Sequence, residues 1–263
     1  MKVGDLQIVP ILDGHSYDPI DTLLVHESGD RWDCPEHPLD ARGRIEMTIG
    51  GFLIKTGKRT ILVDTGIGPV VEDDVQCGSL PQRLQEQGVH PADVTDVLFT
   101  HLHHDHVGWA TQRDEVFFPR ATFRVHEADW EHFVSGSDPV ERATRKLGPI
   151  EPRLETFSAE TQLAPGVFAR PAPGHTPGST IFLIESAGER ALLLGDVVHG
   201  VSELTDPEWR CLYDVDPDAA GAAREQIASE LTDSGTVFAP AHFPDLRFGR
   251  LVTSKGRRCF QYA

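Results

Sequence analysis

A chain of 263 residues and 29.0 kDa buries a full core, so folding requires neither disulfides nor a structural metal. Its 24 Lys and Arg against 41 Asp and Glu give a net charge of −17, which argues against nucleic acid and against anionic membrane as partners. The 39% hydrophobic content excludes a disordered acidic chain, no run approaches a membrane span, and Met1–Pro10 lacks the apolar core of a secretory signal.

Segments 51–56 and 60–64, separated by Gly57-Lys58, read as two strands of a hairpin. Residues 79–88 read as a helix, with Ser79 as cap, Pro81 near the start and Gly88 as stop. Segment 96–100 is a short buried strand that runs directly into His101. Segment 121–125 is another strand, and 127–134 a helix with Trp130 and Phe133 on one face. Residues 135–156 are polar and broken by Pro and Gly, so 127–156 reads as a helical excursion with a flexible remainder. Segments 179–185 and 190–194 form a second hairpin around Ala187-Gly188. Residues 217–231 are the strongest helix, with Pro217 in the first turn after Asp216. Segment 236–239 is a last strand before Pro240-Ala241-His242.

Strands and helices interleave throughout, which predicts an α/β layered domain, and no linker divides residues 1–263. Segment 10–45 carries apolar Ile20, Leu23, Leu24 and Val25. It reads as an arm over a partner in a homodimer, as an arm over the pocket, or as a loop packed on its own domain. Cys34, Cys77, Cys211 and Cys259 lie far apart and read as reduced thiols, buried as small hydrophobes, in a cytoplasmic protein.

The strongest chemical signal is His101-Leu102-His103-His104-Asp105-His106, with four of the 13 histidines in six residues. Imidazole and carboxylate are the usual ligands of zinc and its neighbours. In a loop leaving a strand, the spacing of two lets His101 and His103 converge on one ion, while Asp105 and His106 turn toward a second. One cluster cannot complete two shells. Three further candidates stand at or just beyond strand ends: His175 in a Pro- and Gly-framed turn, Asp196 after an apolar run, and His242 after Ala241. Taken singly, each has an ordinary structural reading. Together with the cluster they make five histidines and two aspartates.

Val63-Asp64-Thr65-Gly66, Thr100 to His106, Gly174-His175-Thr176-Pro177-Gly178-Ser179, Gly195-Asp196 and Ala241-His242 resemble, in order, the motifs of the metallo-β-lactamase-fold hydrolase superfamily over roughly 45–245. The resemblance implies an αββα sandwich of two mixed β-sheets flanked by helices, with metals at one rim. It assigns His101, His103 and His175 to a first ion, Asp105, His106 and His242 to a second, and Asp196 to a bridge between them. Asp64 is implied as a carboxylate that orients the loops or a ligand. The chain looks nearest the N-acyl-homoserine-lactonase and methyl-parathion-hydrolase-like branch. It departs from those lactonases in holding His199 where they often place a Tyr, and from some β-lactamases in holding Asp196 where they use a Cys.

The expected function is a dinuclear metal-dependent hydrolase that attacks a lactone or carboxylic ester with a metal-bridging hydroxide. The metals are two divalent ions, with zinc favoured over Mn, Fe or Co. Asp105 is the expected proton carrier. His199, Trp109, Trp130, Phe133 and Phe243 are candidates for the substrate pocket, with core packing as the ordinary alternative. A thioesterase of the glyoxalase II type and a phosphotriester hydrolase of the methyl-parathion-hydrolase type are the rival enzymes. A metal-binding scaffold without turnover is the rival from another class.

Overall fold

The apolar runs become central strands of two sheets that face each other. The computed structural model describes residues 1–263. The first sheet has the order Leu154–Phe157, Thr122–His126, Asp96–Leu98, Arg59–Val63, Arg44–Thr56, Leu6–Pro19, Val75–Cys77, Val70–Glu72, with Lys2–Val3 paired to Leu6–Pro19. The second has the order Thr161–Ala164, Val167–Pro171, Thr180–Ser186, Glu189–Gly195, Val237–Pro240, Gly249–Ser254, Arg257–Tyr262. Both sheets are mixed. Asp96–Leu98 is parallel to both its neighbours, and Glu189–Gly195 is parallel to Val237–Pro240, amid antiparallel pairs.

Strands buried on both faces read as continuous apolar runs, because successive side chains enter different layers. Ile61, Val63 and Leu98 point between the sheets, where they meet Phe182, Leu193 and Ala239. Leu62, Val97 and Phe99 point outward, onto Leu80 and Leu84 of helix Leu80–Glu86 and onto Trp130 and Leu147. On the far side, Leu192, Leu194 and Phe238 pack against Ile227, Ala228 and Leu231 of helix Pro217–Leu231. The outcome is the four-layer helix–sheet–sheet–helix sandwich expected from the sequence. No helix is long and apolar enough to cross a membrane.

Two stretches differ from their reading in the sequence. The supposed arm 10–45 divides. Residues 10–19 belong to the long strand Leu6–Pro19, paired with Arg44–Thr56 from Gln7↔Lys55 to Pro19↔Arg44. Its polar residues concealed it: Asp13 is buried at a bulge, where backbone amides satisfy it. Beyond it, Leu24–His26 pairs with Trp209–Cys211, and Leu23, Leu24, Ile45, Met47 and Trp209 form a small core of their own. This part therefore packs on its own chain. The stretch 135–156 is ordered by helix Glu141–Leu147 and the 3-10 turn Gly148–Arg153, with Ala143, Leu147 and Ile150 buried.

Candidate metal centre

Five strands carry the site, and all five end at the same rim. Asp64 follows Arg59–Val63, the histidine run follows Asp96–Leu98, and His175 follows Val167–Pro171. Asp196 follows Glu189–Gly195, and His242 follows Val237–Pro240. The rim joins the sheets where Thr180 N donates to Thr100 O (2.9 Å). Gly195, at φ +54, lies so close to Thr100 that a Cβ would meet its side chain at 2.7 Å, so only glycine fits the turn that aims Asp196.

The structure brings all seven sequence-chosen donors together in two groups. His101, His103, His175 and Asp196 form one, and Asp105, His106, Asp196 and His242 the other, each with donor atoms within 4.8 Å of one another. Asp196 belongs to both. Its Oδ2 lies 3.6 Å from Nε2 of both His101 and His175, and its Oδ1 lies 3.3 Å from His106 Nε2. His103 Nδ1 lies 2.9 Å from His101 Nε2 and 3.0 Å from His175 Nε2. Asp105 Oδ2 lies 3.6 Å from His106 Nε2 and 3.5 Å from His242 Nε2.

Most of the inward nitrogens are aimed by a partner on the opposite side of the ring. His106 Nδ1 donates to Asp64 Oδ2 (3.0 Å), His175 Nδ1 to Asp214 Oδ1 (3.0 Å), and His242 Nδ1 to Thr48 O (3.0 Å). His101 Nδ1 faces Thr100 Oγ1 (3.1 Å), which itself donates to Asp64 Oδ2 (2.7 Å). These contacts fix the tautomers and leave Nε2 of His101, His106, His175 and His242 as lone-pair donors. Asp64, the carboxylate that the family resemblance singled out, accepts from Thr100 N and Oγ1 and faces His106 Nδ1. It holds φ +58, a strained conformation stabilised by Thr100 N and Oγ1 and by His106.

Electrostatics fits a cation. Burial, then the neighbouring imidazoles, hold His101 well below its ordinary pKa, and burial and His175 bring His103 down to about 3. Burial opposes ionisation of Asp105, yet His106 and His242 pull it down to about 2. Asp196 is likewise driven low, against its burial, by His106 and His242. His106 Nε2 and Asp196 Oδ1 are buried without a hydrogen-bond partner. Against their burial, His106 is held well above its ordinary pKa by Asp196, Asp105 and Asp64, and His175 above its own by Asp214, so an ion bound there would displace protons. Converging imidazoles, ionised carboxylates and orphaned donor atoms are what divalent ions require.

Three features escaped the sequence reading. Asp214, buried, steers His175 and meets Arg224 Nη2 at 3.2 Å, but a lone Asp in a loop gives no signal. Asp129, also buried, ties the histidine loop to the His175 turn by accepting from Leu102 N (3.1 Å) and Gly178 N (2.6 Å). Cys211 is buried as expected, but its Sγ lies 3.7 Å from His199 Nε2, making a third donor group with His175 and His199.

The cleft over the centre has a volume of about 350 Å³. Leu23, Met47, Ile49, Ile67 and Val75 supply its apolar wall, and Tyr213, 60% exposed, stands beside them. Of the expected pocket residues only His199 lines it, and that ring is buried against Asp196 (3.4 Å). Trp109, Trp130 and Phe243 are corrected to core. Trp109 donates to Asp13 Oδ1 (2.8 Å), Trp130 packs behind the first sheet, and Phe243 packs behind the second. Nearness in sequence misled here, because side chains beside a ligand loop point into the layer behind it as readily as into the cleft. Phe133 touches the His103 ring edge-on, at 5.5 Å between centroids, and lines an adjoining cavity.

A family model described as the metallo-beta-lactamase superfamily matches residues 51–242. Metallo-beta-lactamase domain-containing protein 1 of Xenopus laevis is 48% identical over 69 residues, 26% of this chain and 27% of that one. N-acyl homoserine lactonase AiiB of Agrobacterium fabrum is 26% identical over 160 residues, 51% of this chain and 56% of that one. The chain thus spans between about a quarter and just over half of these relatives' lengths. Among solved structures, AidC, a dizinc quorum-quenching lactonase in complex with a product, superposes with a TM-score of 0.81. It covers 100% of this chain and 95% of its own at 24% identity, a likeness of fold.

Proposed function

The chain belongs to the metallo-beta-lactamase superfamily, and on that premise we propose that it hydrolyses a lactone or carboxylic ester with two divalent metal ions, zinc in the first place. The observation that carries this reading is the pair of donor groups sharing Asp196. His101, His103 and His175 would hold one ion, Asp105, His106 and His242 the other, and Asp196 both. Such ions supply Lewis acidity toward a carbonyl oxygen and bring the pKa of a water down to about 7.

The protein's own groups do the rest. Asp64, Asp214 and Thr48 O keep the imidazoles aimed, so that little reorganisation accompanies reaction. Asp105, at the edge of the cleft, takes the proton of the attacking water on the carboxylate oxygen not turned to His106 and His242 and returns it to the departing alkoxide. Leu23, Met47, Ile49 and Ile67 exclude water around an apolar acyl group. Buried His199 is engaged with Asp196 and Cys211, so the phenol that can reach substrate is that of Tyr213 on the cleft wall. A cytoplasmic setting keeps the four free thiols reduced.

The test is a panel of acyl lactones, aryl esters, S-lactoylglutathione and a dialkyl aryl phosphotriester, assayed before and after chelation. Lactone or ester turnover that is lost on chelation and restored by zinc supports the reading. Turnover only of the thioester or the phosphotriester overturns the substrate class, and metal binding without any turnover makes the protein a scaffold.

A further inference from the structure

The cleft over the metal centre does not end there. A second cavity of about 370 Å³ shares Ile67, His103 and His104 with it, so the two adjoin. Its inner lining is apolar, from Leu102, Val107, Phe133 and Ala143. Its outer end is closed by helix Glu141–Leu147, which presents Arg142, Arg145 and Lys146, with Asp114 as the one carboxylate nearby.

The guanidiniums of Arg142 and Arg145 line the cavity wall and make no salt bridge. Standing three apart on one helix, they repel each other, a cost that a bound anion would remove. Lys146 is held against the same wall, where its Nζ donates to Thr111 O (2.7 Å). Burial, then Arg142 and Arg145, lower its pKa, an effect that Asp114 offsets only in part.

We propose that the two cavities act as one trough for the acyl arm of the substrate and that the arm ends in a carboxylate received by Arg142 and Arg145. An apolar passage leading from the reacting carbonyl to paired guanidiniums fits a carboxylate-terminated chain, since the fork of an arginine matches a carboxylate in two hydrogen bonds. The inference rests on the hydrolase reading and narrows its substrate class.

The test uses the zinc-loaded protein and two esters of equal chain length, 4-nitrophenyl hexanoate and mono-4-nitrophenyl adipate. The expected result is a kcat/KM at least tenfold higher for the adipate ester, carried mainly by KM and shrinking as salt is raised. The exposed double substitution R142Q/R145Q should abolish that gap by raising KM for the adipate ester. Equal kcat/KM in the parent, or a gap that survives in the variant, would overturn the inference. If neither ester is cleaved, the lactone panel decides the hydrolase reading, and calorimetry still decides the subsite. Adipate should bind at least tenfold tighter than hexanoate to the parent and not to the variant, and equal binding would refute it.

Discussion

Replacing Asp129 with Ala should loosen the centre without touching a metal donor. Its two carboxylate oxygens accept from Leu102 N at 3.1 Å and Gly178 N at 2.6 Å, and the residue is 0% exposed. Leu102 lies between His101 and His103, and Gly178 closes the turn that presents His175. D129A leaves two buried amides without an acceptor, at about 1–3 kcal/mol each, or about 2–6 kcal/mol in all. Burial raises the pKa of Asp129, so removing a desolvated carboxylate returns part of that loss and favours the lower half of the range. For a chain of this length about 2–4 °C is lost per kcal/mol, which gives a fall in Tm of roughly 4–15 °C. D129N retains one acceptor and should lose about half as much. Circular dichroism melts of the parent and both variants, each with and without zinc, make the comparison. A D129A protein that melts with the parent would refute the claim that this carboxylate staples the two loops.

Gly108 should tolerate no side chain, because a Cβ there would lie 1.9 Å from the Ile67 carbonyl carbon, which is backbone. G108A is expected to cost at least about 2 kcal/mol in urea unfolding, and a parental midpoint would count against the packing described. Arg224 Nη2 lies 3.1 Å from Glu203 Oε1 and 3.2 Å from Asp214 Oδ2. R224M strands two buried carboxylates, so a loss of about 3–5 kcal/mol is expected, with weaker zinc retention on competitive chelation because Asp214 steers His175. The thiols should differ in reactivity at pH 8. Cys34, Cys77 and Cys211 are buried, and burial and Asp13 push Cys77 up to about 12, so Ellman's reagent should titrate Cys259 alone until the chain is unfolded. Rapid reaction of more than one thiol in the native protein would contradict this.

The layered fold and the convergence of the candidate donors were legible in the sequence for one shared reason. Strands buried on both faces are written as apolar runs, and the donors stand where those runs stop, at His101, Asp196 and His242. Strand Leu6–Pro19 was not legible, since Asp13, His15, Ser16 and Asp18 interrupt its pattern; Asp13 is satisfied by amides from Ile67, Gly68, Gly78 and Leu80 and by the indole of Trp109, all far along the chain. The aspartates that aim the site, Asp129 and Asp214, were equally hidden. Their partners are far along the chain, and only the fold brings Leu102 and Gly178, or His175, to them. The cleft walls were hidden for the same reason, because Met47 and Tyr213 reach the centre from segments with no motif of their own.

Anomalous diffraction at the zinc edge, from crystals of protein purified without chelator, tests the central claim most directly. Two peaks per chain should appear, one among His101, His103 and His175 and one among Asp105, His106 and His242, with Asp196 between them. A lone peak among His175, His199 and Cys211, or none at the rim in a protein that still cleaves esters, would contradict it.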